Sequence, residues 1–199
     1  METSEKENIS KVMMLPVYVY GMSVLRKVAQ EIDKDFEGLD QLIEDMFETM
    51  VVSEGVGLAA PQIGESIRLF IIDASRMEDV DDEPDLKNFR RVFINPYIIE
   101  EWGDKWSFSE GCLSIPNIRE DVTRNAKVKI KYYDENWDFH EEEFDGVKAR
   151  IIQHEYDHLE GRLFVDMINP LRKKLIGPRL KAISRGNVDC DYEIVFPGK

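Results

Sequence analysis

At 199 residues, 43% of them apolar, and with only two cysteines, the chain is long enough to bury a sizeable core without disulfides. Its net charge of −14 disfavours general attraction to DNA, and no apolar run approaches the ~18 residues needed to cross a bilayer. The cysteine count argues for a reducing compartment rather than a disulfide framework. In chain order, residues 1–12 read as a flexible, charged N-terminus unlike a secretory signal or a transit peptide, which makes the cytoplasm the expected location. Ser23 is placed to cap a short helix running to Gln30. Leu39, Leu42, Ile43, Met46, Phe47, Met50 and Val51 recur at 3-1-3-1-3-1, an amphipathic helix over Leu39–Ser53. A Gly-rich segment, Gly55 to Gly64, separates it from a strand at Ile67–Asp73. This is the reverse order from a phosphate cradle, so its glycines are expected to let backbone approach an extended ligand. Glu78–Asp85 holds six acids in eight residues and reads as a solvated loop. Short strands follow at Arg91–Ile94, Ile98–Glu101, Asp121–Arg124 and Lys127–Tyr133, the last turning at Asp134–Asp138 into Phe139–Phe144. Helices are expected at Val147–Glu160 and from Pro170, the latter interrupted at Gly177-Pro178. Strands segregated ahead of a helix point to an α+β fold, with mostly antiparallel short sheets around a central helix and a C-terminal helix, and not to a βαβ sheet. We take residues 1–199 as a single catalytic domain, the tail from 186 to 199 being uncertain.

The chemistry concentrates in Gln153-His154-Glu155-Tyr156-Asp157-His158. Residues four apart share one face of a helix, so His154 and His158 can hold one divalent ion while Glu155 projects towards water on that ion. Val147 and Ile151, at −7 and −3 from His154, continue the same stripe in apolar form and place the pair on the inner face of a buried helix. Two histidines at this spacing with adjacent acids exceed what an ordinary core face supplies. A catalytic site of this kind needs a third protein ligand and one open position. His140 lies in a charged, exposed run and is a poor candidate. Cys112, in a Gly-containing loop before Pro116, is better, because a thiolate is a strong ligand that metal binding deprotonates at neutral pH. Asp157, Glu110 and Arg124 are placed to act behind the ligands, Arg124 neutralising one of the acids.

Three segments resemble the signature motifs of the peptide deformylase family, in the family's order: Gly55-Val56-Gly57-Leu58-Ala59-Ala60-Pro61-Gln62-Ile63-Gly64, Glu110-Gly111-Cys112-Leu113-Ser114, and Gln153-His154-Glu155-Tyr156-Asp157-His158. The likeness runs from about Leu15 to Leu175. It implies removal of the formyl group from N-formyl-methionyl nascent peptides by one divalent metal held by Cys112, His154 and His158. Ferrous iron is the implied cellular metal, with zinc, nickel or cobalt as replacements. Glu155 is implied as general base and then acid, and Gln62 with the Leu113 backbone N–H as donors to the developing oxyanion. Backbone near Gly57 is implied to pair with substrate main chain. Val56, Val147 and Ile151 are the candidates for the methionine pocket.

Two rival readings are weighed against this one. A zinc endopeptidase would require a further ligand downstream of the helix, where only Glu160 stands nearby. A structural metal module would require a fourth Cys or His, which the sequence does not offer. The segment Leu171–Arg185 carries Arg172, Lys173, Lys174, Arg179, Lys181 and Arg185 without an acid. Its charge reads as an exposed helix; the resemblance, to a family that acts on chains emerging from the ribosome, implies instead a contact with ribosomal RNA.

Overall fold

The computed structural model describes residues 12–75, 77 and 84–198; the N-terminal residues 1–11 and the acidic residues 78–83 lie outside that description. Five antiparallel strands form the main sheet in the order β2 (Gly57–Ala59), β3 (Leu69–Asp73), β4 (Arg90–Cys112), β5 (Ile115–Tyr133), β6 (Phe139–Asp145). Strand residues alternate between faces, and β3 shows what that does here. Leu69 and Ile71 pack against α1 (Leu39–Val52) through Ile43, Met46 and Met50, while Phe70 and Ile72 pack on the other side with Ile151, Ile152 and Leu159 of α2 (Gly146–Leu159). The sheet is thus clamped between two helices. Each fully buried Leu, Ile or Phe contributes about 1.5–3 kcal/mol relative to exposure, so packing and not local propensity fixes α2 in place.

Four expectations are corrected. The separate short strands are parts of two long ones, β4 and β5, whose register slips between Ile94 and Tyr97, Ile98 and Glu100, and Trp102 and Lys105. Each bulge breaks the period-2 pattern that a sequence reading relies on. Cys112 accordingly ends a strand and does not sit in a loop. Around Ser23 there is only a short 3-10 turn, Ser23–Arg26, with no side-chain cap. Finally, α3 (Pro170–Ile183) runs unbroken through Pro178. The proline forfeits one hydrogen bond, to the carbonyl of solvent-exposed Lys174. Burial of Ile176, Leu180 and Ile183 against Ile115, Ile118 and Val122 holds the helix on both sides of that gap.

A second sheet pairs β1 (Val17–Tyr18) in parallel with β7 (Ile194–Val195), joining the two ends of the described chain. Two residues past β1, Tyr20 N donates to the Ser114 carbonyl at 2.8 Å, in the turn that follows Cys112.

Candidate metal centre

α2 buries Arg150, Gln153, Glu155, Asp157 and His158 as well as apolar residues. Buried polar groups are costly unless partnered, so where each of them is satisfied shows what the helix is for. The i, i+4 spacing sets His154 above His158, their ring centroids 5.2 Å apart, and the end of β4 brings Cys112 to meet them. The Cys112 Sγ lies 3.3 Å from His158 Nε2, and one ligand atom from each of the three residues falls within 4.8 Å of the other two. Donor atoms around a tetrahedral ion, at about 2.0–2.3 Å each, lie roughly 3.3–3.8 Å apart, so the donor set and the Cys112–His158 separation fit a metal. No fourth ligand joins the group among the described residues. His140, by contrast, bonds Asp134 at 2.8 Å and stacks on Tyr132, apart from this cluster.

Behind His154 lies a buried ionic network. His154 Nδ1 donates to Glu110 Oε2 at 2.8 Å, which leaves Nε2 with its lone pair for an ion. Glu110 also accepts from Arg124 (2.7 and 3.0 Å) and from Arg150 (2.9 Å). Burial alone would raise the Glu110 carboxyl, but His154 and Arg124 hold it well below the usual carboxylate range. Arg124 continues to Asp157 at 2.6 Å. It therefore bridges two acids where one was expected, and Asp157 serves Arg124 and not His158. Arg150 was not singled out by the sequence. Its guanidinium also donates to the carbonyls of Val122 and Trp106 and lies 4.6 Å over the Trp106 ring, tying α2 to both long strands. A cation four residues before His154, on a stripe otherwise apolar at 147 and 151, was the available signal.

The two imidazoles titrate in opposite directions. Burial opposes charge on both, yet the bonds to Cys112 and Glu110 push His154 well above its ordinary value, whereas burial and the His154 charge push His158 well below.

Glu155, next in sequence to the first histidine, is 4% exposed, and its Oε2 has no hydrogen-bond partner among the described residues. Burial raises its pKa to about 7. A Cβ on Gly57 would fall 2.4 Å from Glu155 Oε1, so the carboxylate occupies the space that this glycine leaves. Gln62, 2% exposed, is fixed by accepting from Ala59 N at 2.8 Å, which aims its Nε2 at Cys112 Sγ (3.4 Å) and Ser114 Oγ (3.3 Å).

These groups floor an open cleft of about 810 Å³. Val56, Gly57, Gln62, Leu113, Ile151 and Glu155 line it. Val147 does not; one turn before Ile151, it packs against the core between sheet and α2. The tail also lines the cleft, through Asp189, Cys190, Asp191 and Tyr192, which the sequence left unassigned.

Comparison with known proteins places the chain in a family. The family model described as polypeptide deformylase matches residues 14–174. A peptide deformylase of Christiangramia forsetii is 51% identical over 191 residues, covering 93% of this chain and 97% of its own. The crystal structure of a peptide deformylase from Legionella pneumophila superposes with a TM-score of 0.73 at 38% identity, covering 87% of this chain and 96% of that one. A class I type b peptide deformylase from Acinetobacter baumannii, bound to Met-Ala-Ser, superposes with a TM-score of 0.71 at 36% identity over 79% of this chain and 100% of its own. On a match spanning most of its length, the chain belongs to the polypeptide deformylase family.

Proposed function

We propose that this chain acts as one catalytic domain that hydrolyses the N-formyl group of formyl-methionyl nascent peptides, with a divalent metal held by Cys112, His154 and His158. The observation that carries the reading is the convergence of those three donors beside an open cleft lined by Cys112 and His154, next to a buried carboxylate whose Oε2 has no hydrogen-bond partner among the described residues. The bound ion would lower the pKa of a water and polarise the formyl oxygen, supplying nucleophile and electrophile together. Glu155, its pKa near neutrality, takes the proton of the attacking water and returns it to the amine nitrogen as the formamide C–N bond breaks, giving formate and a free N-terminus. Gln62 Nε2 and the Leu113 N–H donate to the oxygen that becomes negative in the tetrahedral intermediate. Gly57 offers its backbone to the substrate main chain, and Val56 and Ile151 receive the methionine side chain. That a solved relative is titled as binding Met-Ala-Ser supports a peptide with N-terminal methionine as the product.

The metal in the cell is ferrous iron on this reading, with zinc, nickel and cobalt able to replace it; a Cys-His-His donor set accepts all four. Free Cys112 and Cys190 support a reducing, cytoplasmic setting, and no helix among the described residues is long and apolar enough to cross a membrane. The endopeptidase alternative loses its candidate ligand, because Glu160 pairs with Arg68 at 2.8 Å. Contact with the ribosome falls to the exposed Lys174, Lys181 and Arg185, since Arg172 pairs with Glu120, Lys173 pairs with Asp166 and Arg179 donates to the Asn117 carbonyl. Reversing those three charges, a milder change than deleting a helix with a buried face, should weaken co-sedimentation with ribosomes; undiminished co-sedimentation excludes the contact.

The reaction is tested by incubating metal-loaded protein with formyl-Met-Ala-Ser. Formate should appear with Met-Ala-Ser intact. Cleavage of an internal peptide bond without formate would return the endopeptidase reading.

A further inference from the structure

The family match ends at residue 174, yet the chain folds its last residues back onto the catalytic cleft. After α3 the backbone reverses at Gly186, whose φ of 73° suits glycine and where any Cβ would fall 2.4 Å from the Phe196 ring. The returning segment is tied down at several points. Asn117 Nδ2 donates to Asp189 O at 2.7 Å, Val17 N to Glu193 O at 2.9 Å, and Val19 N to Val195 O at 3.0 Å. Between these anchors the Tyr192 hydroxyl donates to the Leu113 carbonyl at 2.8 Å. Burial raises the Tyr192 hydroxyl well above its ordinary value of 10, so it stays a donor throughout the working pH range.

Leu113 and Ser114 form the turn between β4 and β5, immediately after the ligand Cys112. Both of their carbonyls are held from the terminal side: Leu113 O by Tyr192, and Ser114 O by Tyr20 N at 2.8 Å. The Leu113 side chain is wedged as well, with its Cδ1 only 3.0 Å from where a Gly55 Cβ would stand. The carbonyl and the N–H of Leu113 flank one Cα. Cys112 on one side is fixed by its pairing with Ile115, so fixing the carbonyl removes the remaining freedom to swing the N–H. Donors aimed in advance at a developing charge contribute through fixed direction, and a turn free to rotate would lose that.

We propose that Tyr192 is a positioning residue for deformylation: its hydroxyl locks the Cys112–Ser114 turn so that the Leu113 N–H points at the developing oxyanion. The inference rests on the reaction proposed above. Because the oxyanion exists only beyond the ground state, loss of the hydroxyl should lower kcat and leave KM alone. The test is Tyr192→Phe, assayed for formate release from formyl-Met-Ala-Ser with metal content measured on the same sample. We expect kcat to fall about tenfold, with KM and metal per chain unchanged. A kcat within twofold of the unaltered protein overturns the role, as does a loss accounted for by missing metal or by a raised KM. Val195→Ala thins β7 and keeps the hydroxyl; it should retain kcat even if its melting temperature falls further than that of Tyr192→Phe. An equal loss of kcat in Val195→Ala would reduce Tyr192 to tail packing and overturn the proposal. If the unaltered, metal-loaded protein releases no formate, it is the reaction itself that fails, and the two failures are told apart.

Discussion

Glu110 and Glu155 are both 4% exposed and both lie close to His154, yet their surroundings divide them. Glu110 accepts from His154, Arg124 and Arg150 and is held ionised. Glu155 has an oxygen without a partner among the described residues, and burial raises it to about 7. One carboxylate is immobilised as part of the scaffold that orients a ligand; the other is kept able to gain and lose a proton. Residue type and depth are the same on both sides, so hydrogen-bond partners alone assign the roles.

That contrast can be broken from either side. The largest effect is expected at Glu155→Gln, which keeps the shape and removes the base. Turnover should fall about 10³-fold with metal content unchanged, measured by formate release and elemental analysis. On the other side, Arg124→Ala takes the arginine partner from buried Asp157 and one of two guanidinium partners from Glu110, which keeps Arg150 and His154. It should cost about 3–5 kcal/mol in urea unfolding, and loosened control of His154 should weaken metal affinity about 10- to 100-fold. Gln62→Ala removes one oxyanion donor and should lower kcat about a hundredfold without loss of metal.

In pH dependence the two acids act with opposite sign. With a folded pKa of about 7 against an ordinary 4.5, Glu155 keeps a proton that the unfolded chain releases, so it makes stability fall as pH rises from 4.5 to 7. Glu110, held below 4.5, makes stability fall as pH drops below that value, because only the unfolded chain takes up the proton. In metal-stripped protein His158, held well below its ordinary value, opposes the Glu155 slope in the same window, so each acid is read as the difference in urea midpoint between the unaltered protein and its Gln variant. The Glu155→Gln difference should fall between pH 4.5 and 7, and the Glu110→Gln difference should include an arm below pH 4.5.

The parts legible in the sequence were those written in local periodicity. His154 and His158 follow from one helical turn, α1 from its apolar stripe, and Glu155 from its place beside His154. What local patterns hid depended on long-range pairing. The slips in β4 fragmented one 23-residue strand into short pieces, and Cys112 at its end looked like a loop residue. Arg150 was concealed because a cation on a buried face makes sense only once Glu110, 40 residues away, is seen opposite it. The tail was hidden most completely: β7 has two residues and pairs with a strand at the other end of the chain, so no sequence window contains both partners. Pro178 misled in the other direction, since tertiary burial of α3 outweighs the single hydrogen bond it removes.

The most direct test of the metal centre is an anaerobic cobalt titration of metal-stripped protein, following formate release and the thiolate-to-cobalt absorption together. Both signals should rise in parallel and stop at one cobalt per chain, and both should be absent in Cys112→Ser and His158→Ala. Undiminished formate release by the metal-stripped protein, or full cobalt binding without thiolate absorption, would contradict a catalytic ion held by Cys112, His154 and His158.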